Sequence, residues 1–102
     1  MGNQTASRVR DQVIRRARRH KLFQPAELSG AMGVRKGHLL DLSVSGGQAH
    51  VVQPPAAGTI VTLTCGGMSR PARVAWVDGR RVGLAFVLPL SAAEVDATIA
   101  RG

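Results

Sequence analysis

From His20 onward the chain is cut into six strand-length runs, about residues 21–28, 34–43, 47–53, 59–65, 71–78 and 82–88, by links too short for a crossover. Parallel neighbours need a connection of roughly a dozen residues or more, so these runs must pair antiparallel. The links carry turn chemistry. Ser29-Gly30-Ala31-Met32-Gly33, Gly46-Gly47, Pro54 to Gly58, Gly66-Gly67 and Asp78-Gly79 offer positive φ, or a φ preset by proline. Within the runs, alternation gives each strand one face to bury: Val61, Leu63 and Cys65 alternate with Thr62 and Thr64, and the same rule turns Val74 with Trp76, and Gly83 with Ala85 and Val87, inward. After Pro89, Ser91 stands three residues before Glu94, the capping-box spacing, and Leu90, Val95 and Ile99 supply the apolar stripe of a short helix. A sheet of six two-faced strands leaves fewest open edges when it closes on itself. The expected fold is all-β: a six-stranded antiparallel β-barrel with a short C-terminal α-helix and a flexible basic N-terminal segment.

The charge is unevenly placed. Seven basic residues stand against Asp11 between Arg8 and Lys21, whereas the rest of the chain after Lys21 has seven basic and five acidic residues. Residues 1–14 are therefore expected to form the flexible basic segment, with a marginal helix from Ser7 opposed by like-charge repulsion, and residues 15–102 the barrel domain. A segment of this kind calls for an anionic partner: nucleic acid, acidic lipid, a nucleotide or an acidic protein. No apolar run approaches a membrane span, Arg8, Arg10 and Asp11 stand where a secretory signal needs apolar residues, and a lone Cys65 suits a reducing compartment. A soluble cytoplasmic protein is expected.

Two motifs narrow the partner. Arg15 and Arg19 form Arg-x-x-x-Arg ahead of the first strand, and Asp41-Leu42-Ser43-Val44-Ser45-Gly46 forms Asp-x-Ser-x-x-Gly between the second and third. With Val74-Ala75-Trp76-Val77 and Val82-Gly83-Leu84-Ala85-Phe86 in the fifth and sixth runs, their order and separation resemble a stand-alone PilZ domain from about Arg15 to the end of the C-terminal helix. The resemblance implies a receptor for cyclic di-GMP that relays binding to an unidentified downstream protein, and it implies that Arg15, Arg19, Asp41, Ser43 and Gly46 meet the ligand. Arg16 is a further candidate because the neighbouring arginines leave the register open, and Arg18, His20 and Gly47 lie within reach. Whether one ligand or an intercalated pair binds stays open.

The chemistry explains these residue types. A guanidinium is permanently charged, planar and forked, so it pairs with phosphate, donates to guanine O6 and N7 and stacks on the base. An ionised Asp41 accepts from the guanine N1 and N2 edge, Ser43 adds a hydroxyl contact or ties the loop to its own backbone, and Gly46 lets backbone amides approach.

The alternatives are plainer. Alone, the arginines would be a solvated tail and Asp41-x-Ser-x-x-Gly a structural turn. Phe23, Phe86 and Trp76 are readable as core, which leaves a nucleic-acid barrel without stacking platforms. His20, His38 and His50 have no metal-ligand spacing with Cys65, so no metal is expected. The six acidic residues form no pair, and Gly33-Val34-Arg35-Lys36-Gly37 fails the phosphate-loop pattern, so neither an enzyme nor a cofactor is expected. A scaffold with protein contacts only is the remaining rival.

Overall fold

The computed structural model describes residues 18–101. The basic segment 1–14, the helix expected from Ser7, Arg15 and Arg16 lie outside these residues. The elements are β1 (His20–Gly30), β2 (Gly33–Leu42), β3 (Gly46–Val51), β4 (Ile60–Cys65), β5 (Met68–Asp78), β6 (Arg81–Phe86) and a helix, α1 (Ala92–Ala100). Every strand pair is antiparallel, and the sheet closes into a barrel in the order β1-β2-β3-β6-β5-β4.

The inward faces are aliphatic. Leu28, Leu39, Leu42, Val51, Val61, Leu63, Val74 and Val82 are fully buried, each contributing roughly 1.5–3 kcal/mol of transfer free energy before the cost of ordering. Between β4 and β5 the whole connection is Gly66-Gly67, both at positive φ (54° and 81°), as a two-residue hairpin whose twist matches its strands requires.

The seam that closes the barrel is its weakest pairing. Strands β1 and β4 share only Glu27↔Thr64, Leu28↔Leu63 and Ser29↔Thr62. Where they part, buried Gln24 fills the gap: its Nε2 donates to Ile99 O at 3.0 Å and its Oε1 accepts from Cys65 Sγ at 3.4 Å. Burial pushes the Cys65 thiol above its usual pKa, which keeps it a donor. Helix α1 thus covers this end of the barrel, burying Leu90, Val95 and Thr98. Its N-terminus carries the capping box expected from the sequence: Ser91 Oγ accepts from Glu94 N, and Glu94 Oε1 accepts from Ser91 N, both at 3.0 Å. Glu94 also pairs with Arg70 on β5, tying helix to barrel.

Two expectations are corrected. Strand β5 starts at Met68 and runs through Pro71; that residue's carbonyl accepts from Val87 N, so its missing N–H faces the β6 side beyond the last residue of β6, and no ladder bond is lost. The buried face of β6 is Val82, Leu84 and Phe86, not Gly83, Ala85 and Val87, and Trp76 is 39% exposed. The Trp76 error comes from strict alternation carried across an irregularity between Val74 and Trp76, whereas β6 alternates without a break and has the opposite parity to the one expected.

The Glu94 clasp makes α1 docking depend on acid. The hydrogen bond from the Ser91 backbone, and then the nearby Arg70 charge, hold the Glu94 carboxyl below its ordinary value of 4.5. A depressed folded-state pKa contributes stability that is present above 4.5 and lost as pH falls through the lowered value. Denaturant midpoints measured from pH 6 downward should therefore fall less steeply in Glu94→Gln than in the parent chain. Ser91→Ala should cost about 1 kcal/mol at neutral pH.

Candidate functional site

The strand registers set one outward row across five strands: Lys21 on β1 faces Asp41 on β2, Asp41 faces Gln48 on β3, Gln48 faces Gly83 on β6, and Gly83 faces Trp76 on β5. Irregularities in the ladder aim two members of this row. In β2, Leu39 pairs with Ala49 and Asp41 with Gln48, which leaves Leu40 as an extra residue; in β5, Val74 pairs with Leu84 and Trp76 with Gly83, which leaves Ala75 extra. One extra residue reverses the alternation. Leu39 and Val74 therefore point inward, and Asp41 and Trp76 point out.

At one end of the row Arg19 Nη1 stands 3.8 Å from Asp41 Oδ2, a charge contact longer than a hydrogen bond. The Asp41 side chain is 15% exposed against 65% for Arg19, and Asp41 Oδ1 is buried with no hydrogen-bond partner among the described residues. A buried, unpaired carboxylate oxygen costs at least about 1–3 kcal/mol. It marks an acceptor that a ligand donor would satisfy.

The β2–β3 turn is held from within. Ser43 N donates to Gly46 O at 2.8 Å, Ser43 Oγ donates to the same oxygen at 3.3 Å, and Ser45 N donates to Ser43 Oγ at 3.3 Å. Ser43 is buried, so its hydroxyl serves the loop first. Gly46 and Gly47 are strand residues without positive φ, contrary to the turn read from the sequence. Their need is closeness: a Cβ on Gly46 would lie 1.9 Å from Leu84 O, and one on Gly47 2.5 Å from Asp41 O.

Beside this turn opens a hollow of about 340 Å³ lined by Arg19, Ser43, Ser45, Gly46, Gly47, Gln48, Ala75, Trp76, Gly83, Leu84 and Ala85. Its size lies at the low end of the roughly 300–1,000 Å³ typical of small-molecule sites. Arginine, hydroxyls, an amide and an indole converge there, a set suited to an anionic group joined to a flat heteroaromatic ring. Asp41 is in contact with Arg19 but is not in the wall. Neither Arg18 nor His20 lines the hollow. A larger hollow of about 780 Å³ lies over β1, β2, β3 and the end of β4, lined among others by Glu27, Lys36, His38 and His50. It brings in no arginine and no residue of either motif, so the chemistry favours the smaller one.

Trp76, Gly83, Gln48 and Ser45 escaped the sequence reading. The indole covers Gly83 so closely that a Cβ there would lie 2.1 Å from Trp76 Nε1. One signal for that contact was present: counting back from the Asp78-Gly79 turn pairs Asp78 with Arg81, Val77 with Val82 and Trp76 with Gly83. Phe23, also read as core, is 71% exposed and stacks on His38 at a ring separation of 4.3 Å. Two exposed rings therefore remove the ground on which a nucleic-acid platform was set aside. Among the described residues, no group of three or more His, Cys, Asp or Glu could hold a metal ion, and no helix is long and apolar enough to cross a membrane.

The PilZ domain family model matches residues 14–101 of the chain. Among solved structures, the chain is similar to the PilZ domain of CeSA from a cellulose-synthesizing bacterium, at 21% identity and a TM-score of 0.59, with 82% of this chain and 92% of that chain covered. At that identity the likeness concerns the fold. No curated protein matches the chain significantly.

The contacts at the two glycines separate site from scaffold. In Gly83→Ala the obstacle is a side chain that can move, so the barrel should persist with a loss of about 1–3 kcal/mol while the single tryptophan is displaced, read as a red shift of its emission. In Gly46→Ala the obstacle is the Leu84 carbonyl, and the β3–β6 ladder has to open, read as loss of the cooperative thermal transition.

Proposed function

The chain belongs to the PilZ domain family, a family of cyclic di-GMP receptor domains, and we propose that it is itself a cyclic di-GMP receptor that relays binding to a partner protein. The observation that carries this reading is the meeting of Arg19 and Asp41, one from each motif, at the edge of a hollow walled by Trp76 and the Ser43–Gly46 turn. The positive field of Arg19, Lys21 and the arginines before them draws in a doubly anionic ligand. Arg15 and Arg19, with Arg16 beside them, pair with phosphate and stack on guanine. The guanine N1 and N2 donors take up the Asp41 carboxylate and satisfy its orphan oxygen.

Binding on this reading is an exchange. The Arg19–Asp41 contact is largely exposed on the arginine side, and such pairs are worth about 0–1 kcal/mol, so little opposes its replacement. Arg19 leaves the carboxylate for a ligand phosphate while the base takes its place. Trp76 supplies an apolar wall on the other side of the hollow. The chain acts by binding and not by turnover, and the single free thiol suits the cytosol.

Calorimetric titration with cyclic di-GMP at moderate salt tests the proposal. The expected affinity is micromolar or tighter, about −8 kcal/mol. Arg15→Ala and Arg19→Ala should each weaken it strongly with the melting temperature unchanged, and the Trp76 emission should change on binding. A flat cyclic di-GMP titration alongside tight, steeply salt-dependent binding of single-stranded oligonucleotides would replace this reading by a nucleic-acid one.

A further inference from the structure

We infer that Gln48 is a specificity-determining residue that reads the purine of the bound messenger, its side-chain amide donating to guanine O6 beside the Asp41 carboxylate. This inference rests on the cyclic di-GMP reading above.

Gln48 lies in the middle of the outward row, opposite Asp41 on one side and Gly83 on the other. It is half-buried and, unlike Asp41, forms part of the wall of the hollow. Gly83 offers no side chain to crowd it, because that position is filled by the Trp76 indole. Within the described residues no hydrogen bond occupies its amide, whereas the amide of inward-facing Gln24 is bonded on both atoms.

The chemistry calls for such a group. A carboxylate only accepts, so Asp41 alone recognises two donors and leaves guanine O6 unread. An amide offers two N–H donors from one nitrogen. With a carboxylate opposite, the favoured rotamer turns Nε2 towards Asp41 and Oε1 away, since the reverse sets two acceptors face to face. One N–H then serves the carboxylate and the other the base. Adenine carries an amino group at the position of O6, so a donor meets a donor and the base is rejected. Asp41 and Gln48 together present acceptor, acceptor and donor, the complement of guanine N2–H, N1–H and O6.

Titrations of the parent chain, Gln48→Met and Gln48→Glu with cyclic di-GMP, cyclic di-IMP and cyclic di-AMP decide the matter, with melting temperatures taken on each. Hypoxanthine retains O6 and N1–H, so Gln48→Met should weaken cyclic di-GMP and cyclic di-IMP by about tenfold each, as for one lost hydrogen bond. Cyclic di-AMP should not weaken and should gain as the donor–donor clash is lifted, which narrows the preference for guanine by at least a similar factor. Gln48→Glu should weaken the O6-bearing ligands further, because an anionic acceptor then faces O6 and the phosphates. Unchanged cyclic di-GMP affinity in Gln48→Met overturns the inference, and so does an equal loss for all three ligands, the signature of a sugar or phosphate contact. Failure of the parent chain to bind cyclic di-GMP at all defeats the receptor reading itself and is told apart by that control.

Discussion

Two extra residues, Leu40 in β2 and Ala75 in β5, determine what the outside of this barrel presents. A closed barrel sends alternate side chains into its core, and parity is unforgiving: one step of slip moves every later residue to the other face. Counting regularly from buried Leu39 would put Asp41 inside among aliphatic side chains, where an unpaired carboxylate is untenable. Counting from buried Val74 would do the same to Trp76. The insertions spare the core because β2 buries Leu42 directly after Asp41, while β5 has left the core by Ala75 and is exposed to its end. They also gather an acid, an amide and an indole into one outward row that the linear sequence spreads over three strands.

The same geometry explains why small residues fill the rest of the site. A row of outward functional side chains needs its strands packed closely, and at Gly46 and Gly47 the neighbouring carbonyls occupy the space of a side chain. At Gly83 the missing side chain makes room for the indole, an aromatic lying across a glycine on the adjacent strand. These glycines thus serve approach and not turning, whereas positive φ is confined to hairpin and loop positions such as Gly66 and Gly67. The Asp-x-Ser-x-x-Gly spacing reads accordingly: the serine hydroxyl bonds the carbonyl of the glycine, fixing the turn, and the turn fixes the carboxylate.

Much of the fold was legible because its signals are local. Six runs, short links and a capping box at Ser91 and Glu94 each depend on residues within a few positions, and all appear as six antiparallel strands and a capped helix. The inward assignments of Val61, Leu63 and Cys65 hold because β4 has no bulge. Trp76 differs from expectation because a bulge leaves no mark in hydrophobic periodicity, and the face of β6 because every residue from Val82 to Val87 is small or apolar, so alternation there does not choose a parity. Arg19 and Asp41 were visible as motif members, and their contact is in the structure. Gln48 was invisible, since its significance comes only from standing opposite Asp41 and Gly83. Arg15 and Arg16 lie outside the described residues, so their part in the site rests on the motif.

The site is also wired to the helix. The β2–β3 turn uses its backbone carbonyls in two directions beyond itself: Ser45 O accepts from Phe86 N at 2.9 Å, and Val44 O accepts from Leu90 N at 2.8 Å. Phe86 ends β6, and Leu90 opens the approach to Ser91, the cap of α1. Helix α1 lies against the seam through Gln24 and against β5 through Arg70 and Glu94. On the proposed receptor reading, a ligand contacting Ser45 and Gln48 would press on a loop whose two exported hydrogen bonds end at the segment leading to the helix. The covering of the barrel end and the turn beside the hollow are in this way joined by backbone hydrogen bonds, with the aliphatic core between them. On the proposed reading, that division would let the outward face respond to a charged ligand without the fold itself having to yield.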